Sequence, residues 1–208
     1  MGRQGNNSFI VHIRPRQIKA GTLRFRVTFC LGGFSFLAFI ILTITGILLM
    51  FYYQPGEKAF ASLSEIDSAL PYGGFIRSLH FWAGQMMVFS VFLHMVRVVW
   101  SRAYRPLREL NWVTGVVLFV LTVVLDYSGY LLRGGQESGA ASSVGQTLLK
   151  TLPGGHGLAT VFFGQSSPLN GSTLNIFVWH VFILAGIAGF LQMFHFWRIR
   201  KDGGVRPL

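Results

Sequence analysis

Four long stretches of the 208-residue chain are almost free of charge: 27–56, 78–96, 110–132 (broken only by Asp126) and 174–197. A helix needs about 17–25 apolar residues to cross a hydrocarbon core about 30 Å thick, and each stretch meets that length. The pattern predicts four spans, over residues 28–53, 75–100, 111–132 and 173–198. Turn signals separate them. Gln54-Pro55-Gly56 ends the first span, and Pro71 with Gly73-Gly74 precedes the second. Residues 57–67 are expected to form a short helix, and Gly134-Gly135 opens a long Gly- and Ser-rich loop reaching residue 172. The first apolar run is too long for the core of a signal peptide, and no small-residue cleavage site follows it. The expected fold class is therefore an all-α integral membrane bundle of four transmembrane helices. Its expected divisions are a basic arm (1–26), the four-helix domain (27–198) and a basic tail (199–208).

Composition agrees with this reading. The chain is 51% hydrophobic and only 12% charged, with a mean hydropathy of +0.50. A soluble domain carries about 25% charged residues. The net charge of +11 raises the question of a nucleic-acid surface, and the placement of the charges answers it. The N-terminal arm, the loop after the second span and the C-terminal tail share one side, and they hold 14 of the 18 Lys and Arg. An excess of Lys and Arg marks the cytoplasmic side, so both termini are expected there. The basic excess reads as topology and contact with anionic lipid rather than as a nucleic-acid partner. A single cysteine, Cys30, excludes an intrachain disulfide.

The candidate chemistry lies inside the spans. His80 and His94 stand fourteen residues apart in the second, and His180 and His195 fifteen apart in the fourth. On a helix, fourteen residues rise about 21 Å and return to within about 40° of one face. Spans two and four run in the same direction, so the four imidazoles form two depth-matched pairs. His80 and His180 lie near the outer end, and His94 and His195 near the inner end. Ionisable groups inside a bilayer are costly and mark function. Two opposed imidazoles suit axial ligation of a haem iron. Zinc or a proton relay is the alternative, although spans two and four offer no carboxylate or thiolate to complete a zinc site. Glycines repeat the fourteen-residue spacing. Gly32 and Gly46 lie in the first span, Gly115 and Gly129 in the third. Each layer then has two histidines and two glycines, which let a flat macrocycle approach the backbone. Small residues also simply aid helix packing in lipid.

From Phe29 onward the chain resembles the cytochrome b6 family, and more distantly the N-terminal half of cytochrome b from bc1 complexes. The resemblance rests on Cys30-Leu-Gly-Gly33, Phe51-Tyr-Tyr-Gln-Pro55, Ile76-Arg-Ser-Leu-His80, Leu93-His94-Met-Val-Arg97, Arg108-Glu-Leu-Asn-Trp-Val-Thr-Gly115, Ser128-Gly-Tyr130 and Ile199-Arg-Lys201. It implies two b haems, with His80 and His180 ligating the outer and His94 and His195 the inner. It implies that Arg77 and Arg97 pair with haem propionates. It also implies a third haem held by one thioether bond at Cys30, beside the inner quinone-reducing site. Quinone is the implied substrate, and no residue is assigned a catalytic role. The implied function is electron transfer across the membrane in a quinol:cytochrome c or plastocyanin-type oxidoreductase. The implied partners are a helical companion of the subunit IV kind, a Rieske iron–sulfur protein and a c-type cytochrome, in a homodimeric complex. The implied location is a bacterial inner membrane rather than a thylakoid.

The chain departs from the family where Leu131-Leu-Arg133-Gly134-Gly135-Gln136 replaces the usual Pro-Trp and polar pair near the outer quinol site. That departure supports an alternative reading, a dihaem anchor linking quinone to another respiratory redox module. Asp126 is a second departure, placed either to relay protons or to pair with Arg133. The first 56 residues contain no acid, so the family's inner carboxylate has no counterpart. His156 is expected at the surface.

Overall fold

The computed structural model describes residues 30–104, 108–164 and 172–201. The N-terminal arm and most of the C-terminal tail lie outside these residues. The chain order is α1 (Leu31–Met50), α2 (Ala59–Ala69), α3 (Gly73–Trp100), α4 (Glu109–Leu131), α5 (Gly135–Lys150), α6 (Gly155–Phe163), α7 (Ser172–Val178), a π-helical segment (Trp179–Leu184) and α8 (Ala185–Lys201). Residues Thr173–Lys201 run on as one 29-residue helix, and with α1, α3 and α4 they are the four elements long and apolar enough to cross a membrane. The expected all-α four-span bundle is what the chain forms.

Around the bundle α1 packs on α3, α3 on α4, and α4 on the fourth span. Aromatic contacts close the ring. Phe36 meets Phe196 edge-on at 5.1 Å, and Tyr53 stacks on Phe177 at 5.5 Å. The second and fourth spans are thus diagonal, with the first and third between them. The bundle interior is lined by small and hydroxyl side chains, among them Ser35, Ala38, Thr45, Ala83, Ser90, Thr114, Thr122 and Ser128. Large apolar residues such as Phe34, Ile44, Phe89 and Phe190 face outward, as expected where the surroundings are lipid rather than water. Small residues on the inside leave space between the helices. A packed apolar cluster of Leu131, Phe163 and Ile176 lies at the outer end instead, where α4, α6 and α7 converge.

The short helix expected over 57–67 is α2, displaced to Ala59–Ala69. The segment after Gly134 is not a loop. It folds into α5 and α6, although α5 reads GQESGAASSVGQTLLK and has little intrinsic helix tendency. Packing holds it. Tyr127 donates a hydrogen bond to the Ala141 carbonyl at 2.8 Å, and a Cβ on Gly145 would collide with the Tyr127 hydroxyl. Gly134 and Gly135 take φ of 68° and 80° at the corner between α4 and α5, and a Cβ on Gly134 would stand 3.0 Å from the Phe60 backbone nitrogen. The departure Arg133-Gly134-Gly135 is therefore a corner that needs glycine.

Candidate functional site: paired histidines at two depths

The structure groups the predicted residues layer by layer. In the outer layer His80 and His180 face each other across the bundle, with ring centroids 6.4 Å apart. Each is met by the predicted glycine. A Cβ on Gly46 would lie 3.2 Å from the His80 Cε1, and one on Gly129 would lie 3.1 Å from the His180 Cε1. In the inner layer Gly32 stands against His94 and Gly115 against His195, where added Cβ atoms would lie 3.6 Å and 3.4 Å away. The first span thus supports the histidines of the second, and the third span those of the fourth.

Spans two and four space their histidines differently, and the π segment accounts for it. A π turn closes its hydrogen bonds to i+5 and holds one residue more than an α turn. His180 sits inside that segment, so the fifteen-residue interval absorbs the extra residue. His180 and His195 keep the angular relation that fourteen residues give His80 and His94 in α3.

Two hydroxyls missed in the sequence set the chemistry of the outer pair. Thr45 Oγ1 donates its proton to the Ile41 carbonyl at 2.7 Å and lies 2.8 Å from His80 Nδ1. Ser128 Oγ donates to the Leu125 carbonyl at 2.9 Å and lies 2.9 Å from His180 Nδ1. A hydroxyl has one proton to give. With that proton on a carbonyl, the imidazole must donate from Nδ1, which leaves each Nε2 with its lone pair for a metal. A visible signal was available, because each hydroxyl immediately precedes its glycine in Thr45-Gly46 and Ser128-Gly129. The inner histidines lack this relay. Nδ1 of His94 and of His195 is buried without a hydrogen-bond partner among the described residues.

Two imidazoles bound on opposite sides of one metal, each at about 2 Å, have ring centroids about 6 Å apart. The outer pair meets that spacing. No cluster of three or more His, Cys, Asp or Glu suited to a metal ion occurs among the described residues, so the paired imidazoles are the donors this layer would offer to a metal. A cavity of about 510 Å³ beside the pair is lined by His80, His180, Gly46, Gly129, Arg77 and Asp126 among others. Paired imidazoles, flanking glycines and an apolar cavity together fit a flat iron macrocycle.

The arginines differ. Arg97 carries Nε and Nη2 buried with no partner among the described residues, which leaves it able to bind an anion near His94. Arg77 is held by both oxygens of Asp67 while lining the outer cavity. Cys30 stands just before α1 with a left-handed backbone, φ 49°, and is exposed two residues from Gly32. Asp126 does not pair with Arg133. Its Oδ1 accepts a hydrogen bond from Gln85 Nε2 at 2.9 Å, while the Arg133 guanidinium lies over the Tyr130 ring at 5.3 Å. His156 is exposed on α6, as expected.

At the outer end Tyr53, beyond the end of α1, donates from its hydroxyl to the Leu132 carbonyl at 2.8 Å, and burial pushes its phenol above the ordinary tyrosine range. The Gly56 amide donates to Thr173 Oγ1 at 2.6 Å. These bonds tie the first span to the third and fourth just above the outer histidines.

Known proteins resemble this chain in sequence and in fold. Residues 19–203 match the family model described as Cytochrome b/b6/petB. The chain is 41% identical over 184 residues to cytochrome b6 of Heliomicrobium gestii, covering 88% of this chain and 86% of that one. It is 42% identical over 185 residues to cytochrome b6 of Heliobacterium modesticaldum, with the same coverage of 88% and 86%. It is 32% identical over 204 residues to the cytochrome bc complex cytochrome b subunit of Chlorobaculum thiosulfatiphilum, covering 97% of this chain and 47% of that one. A solved structure titled Hyperthermophilic respiratory Complex III superposes with a TM-score of 0.76 at 25% identity, over 86% of this chain and 49% of that one. The chain thus spans about half the length of these last two. By sequence and by fold, the chain belongs to the cytochrome b/b6 family of integral membrane proteins.

Proposed function

We propose that this chain is a b6-type subunit of a quinol oxidoreductase complex, carrying electrons across the bilayer between an outer quinol-oxidising and an inner quinone-reducing site. The observation that carries the reading is the outer histidine pair, 6.4 Å apart, with both Nε2 lone pairs left open by the Thr45 and Ser128 hydroxyls. His80 and His180 would hold the outer b haem, and His94 and His195 the inner one. Haem bound in these layers supplies a one-electron ferric–ferrous couple. Gly32, Gly46, Gly115 and Gly129 clear the space beside the ligands. Arg97 offers unpaired donors to a carboxylate at the inner edge, and Asp67 orients Arg77 along the outer cavity.

The family likeness further supports a third haem on Cys30, held by one thioether bond at the inner side. It supports companions too: a subunit IV-like helical protein, a Rieske protein and a c-type cytochrome, in a dimeric complex. The large apolar side chains turned outward on all four spans are consistent with membrane lipid and such companions. The charge asymmetry supports a cytoplasmic position for both termini, and the membrane we infer is a bacterial inner membrane rather than a thylakoid.

The test is spectral. Purified protein is expected to show two b-type centres in reduced-minus-oxidised spectra. His180→Ala should remove one and His195→Ala the other. A wild-type preparation with adequate haem supply and no b-type bands sinks the reading. For Cys30, haem staining should survive denaturing electrophoresis in the wild type and vanish in Cys30→Ala.

A further inference from the structure

Asp126 is the one acid in the interior of the four spans, Glu109 standing at the first residue of the third. It lines the same cavity as His80, His180, Gly46 and Gly129. An ionised carboxylate at this depth is expensive, and the structure gives it little compensation. Its partner is the neutral amide of Gln85, and Asp126 forms no ion pair among the described residues. Asp126 is thus a carboxylate held by one neutral donor on the wall of the cavity that holds the outer histidine pair.

The groups facing it are few. From α3 come Gln85 and Gly84, and farther along the cavity His80 and Arg77. Arg77 is already neutralised by Asp67. From α4 comes Tyr130, with Arg133 beyond the helix end, the cation lying over the tyrosine ring. From α1 comes apolar Leu42, with Tyr53 beyond its end, and from the π segment His180. A second cavity of about 570 Å³, between α2 and the start of α5, shares Leu63, Arg77, Tyr130 and Arg133 with the first. Its wall adds Asp67, Glu137 and Ser138. The two cavities therefore share a wall, and the second brings polar side chains up to that wall from the outer end.

We propose that Asp126 takes up one proton from the outer side when the haem that His80 and His180 would hold is reduced, and releases it to that side on reoxidation. The balance is simple. Quinol would lose the electron, the ferric haem that His80 and His180 would hold would become ferrous, and a proton from water on the outer side forms the O–H bond at the Asp126 carboxylate, so the added negative charge is cancelled locally. In a medium of low effective dielectric, uncompensated charge is costly over distances of this kind. Gln85 is the positioning residue, its amide donating to the carboxylate on the cavity wall that both side chains line. The inference rests on the assignment of a haem to His80 and His180.

The experiment is a redox titration of the outer b-type centre across a range of pH in the purified complex, with infrared redox-difference spectra. In the wild type the midpoint is expected to fall with pH over part of the range, with a protonated-carboxyl band appearing on reduction. Asp126→Asn should flatten that dependence and erase the band, while Asp126→Glu should retain both. Gln85→Leu, which leaves the acid in place, should move the pH at which the dependence sets in. An unaltered pH dependence in Asp126→Asn, with both b-type centres spectrally intact, overturns the proposal and leaves the haem assignment standing. If Asp126→Asn does not assemble, an unmoved pH dependence in Gln85→Leu overturns it. Loss of all b-type bands in the wild type would instead remove the assignment beneath it.

Discussion

Tyr53 stands at the outer end of the bundle with its hydroxyl on the Leu132 carbonyl, and burial holds its phenol above the ordinary range. The neutral phenol is therefore the form the fold selects. Stability from this group is fully present below the unfolded tyrosine value of about 10 and is lost as pH rises toward the folded value. Tyr53→Phe should cost about 1 kcal/mol at neutral pH by leaving Leu132 unpaired. It should also make the alkaline loss of stability shallower than in the wild type. Thermal unfolding in detergent at neutral pH and above pH 10 checks both, and an identical alkaline slope would remove Tyr53 from the account. The histidines and glycines were legible in the sequence because a 3.6-residue period converts spacing directly into facing and depth. The hydroxyls of Thr45 and Ser128 were present at a fixed step from their glycines and went unread. Gln85 was not legible, because its partner lies on another helix at a register that only packing fixes.

At the scale of elements, the π segment is what the sequence conceals. An interval of fifteen residues on a regular helix leaves the two histidines about 60° apart, a tolerable misfit that asks for no special structure. Only the coordinates show that Trp179–Leu184 takes up the extra residue. The helical fate of α5 was hidden for a different reason. Its Gly and Ser content argues for a loop, and its helix is secured by Tyr127 and the Gly145 approach rather than by its own propensity. The π account predicts an asymmetry between deletions. Deleting Phe182, inside the π segment and exposed, lets that turn revert to α and keeps His180 and His195 on one face. Deleting Phe89, equally exposed but in regular α3, turns His94 by about 100°, to about 140° from His80. The first variant should keep two b-type centres and the second should lose one. Equal loss in both would show that the π turn does not carry the register.

At the scale of the whole molecule, the four spans divide the charges as well as the histidines. Of 18 Lys and Arg, 14 lie on the side of the termini. The opposite side carries α2, α5 and α6, whose corner glycines and hydrogen bonds to the span ends build a cap over the outer histidine layer. This arrangement puts the cap opposite the basic termini, and it makes orientation a question with a direct answer. Ser143 is exposed on α5, and Lys201 is exposed at the end of α8. In a Cys30→Ser background, Ser143→Cys should react with an impermeant maleimide added outside intact cells or spheroplasts. Lys201→Cys should react only after the membrane is opened, because the basic ends are retained on the cytoplasmic side. The reverse pattern would put the cap in the cytoplasm. The outer and inner layers, the quinol side and the proton route from Asp126 would then all exchange sides together.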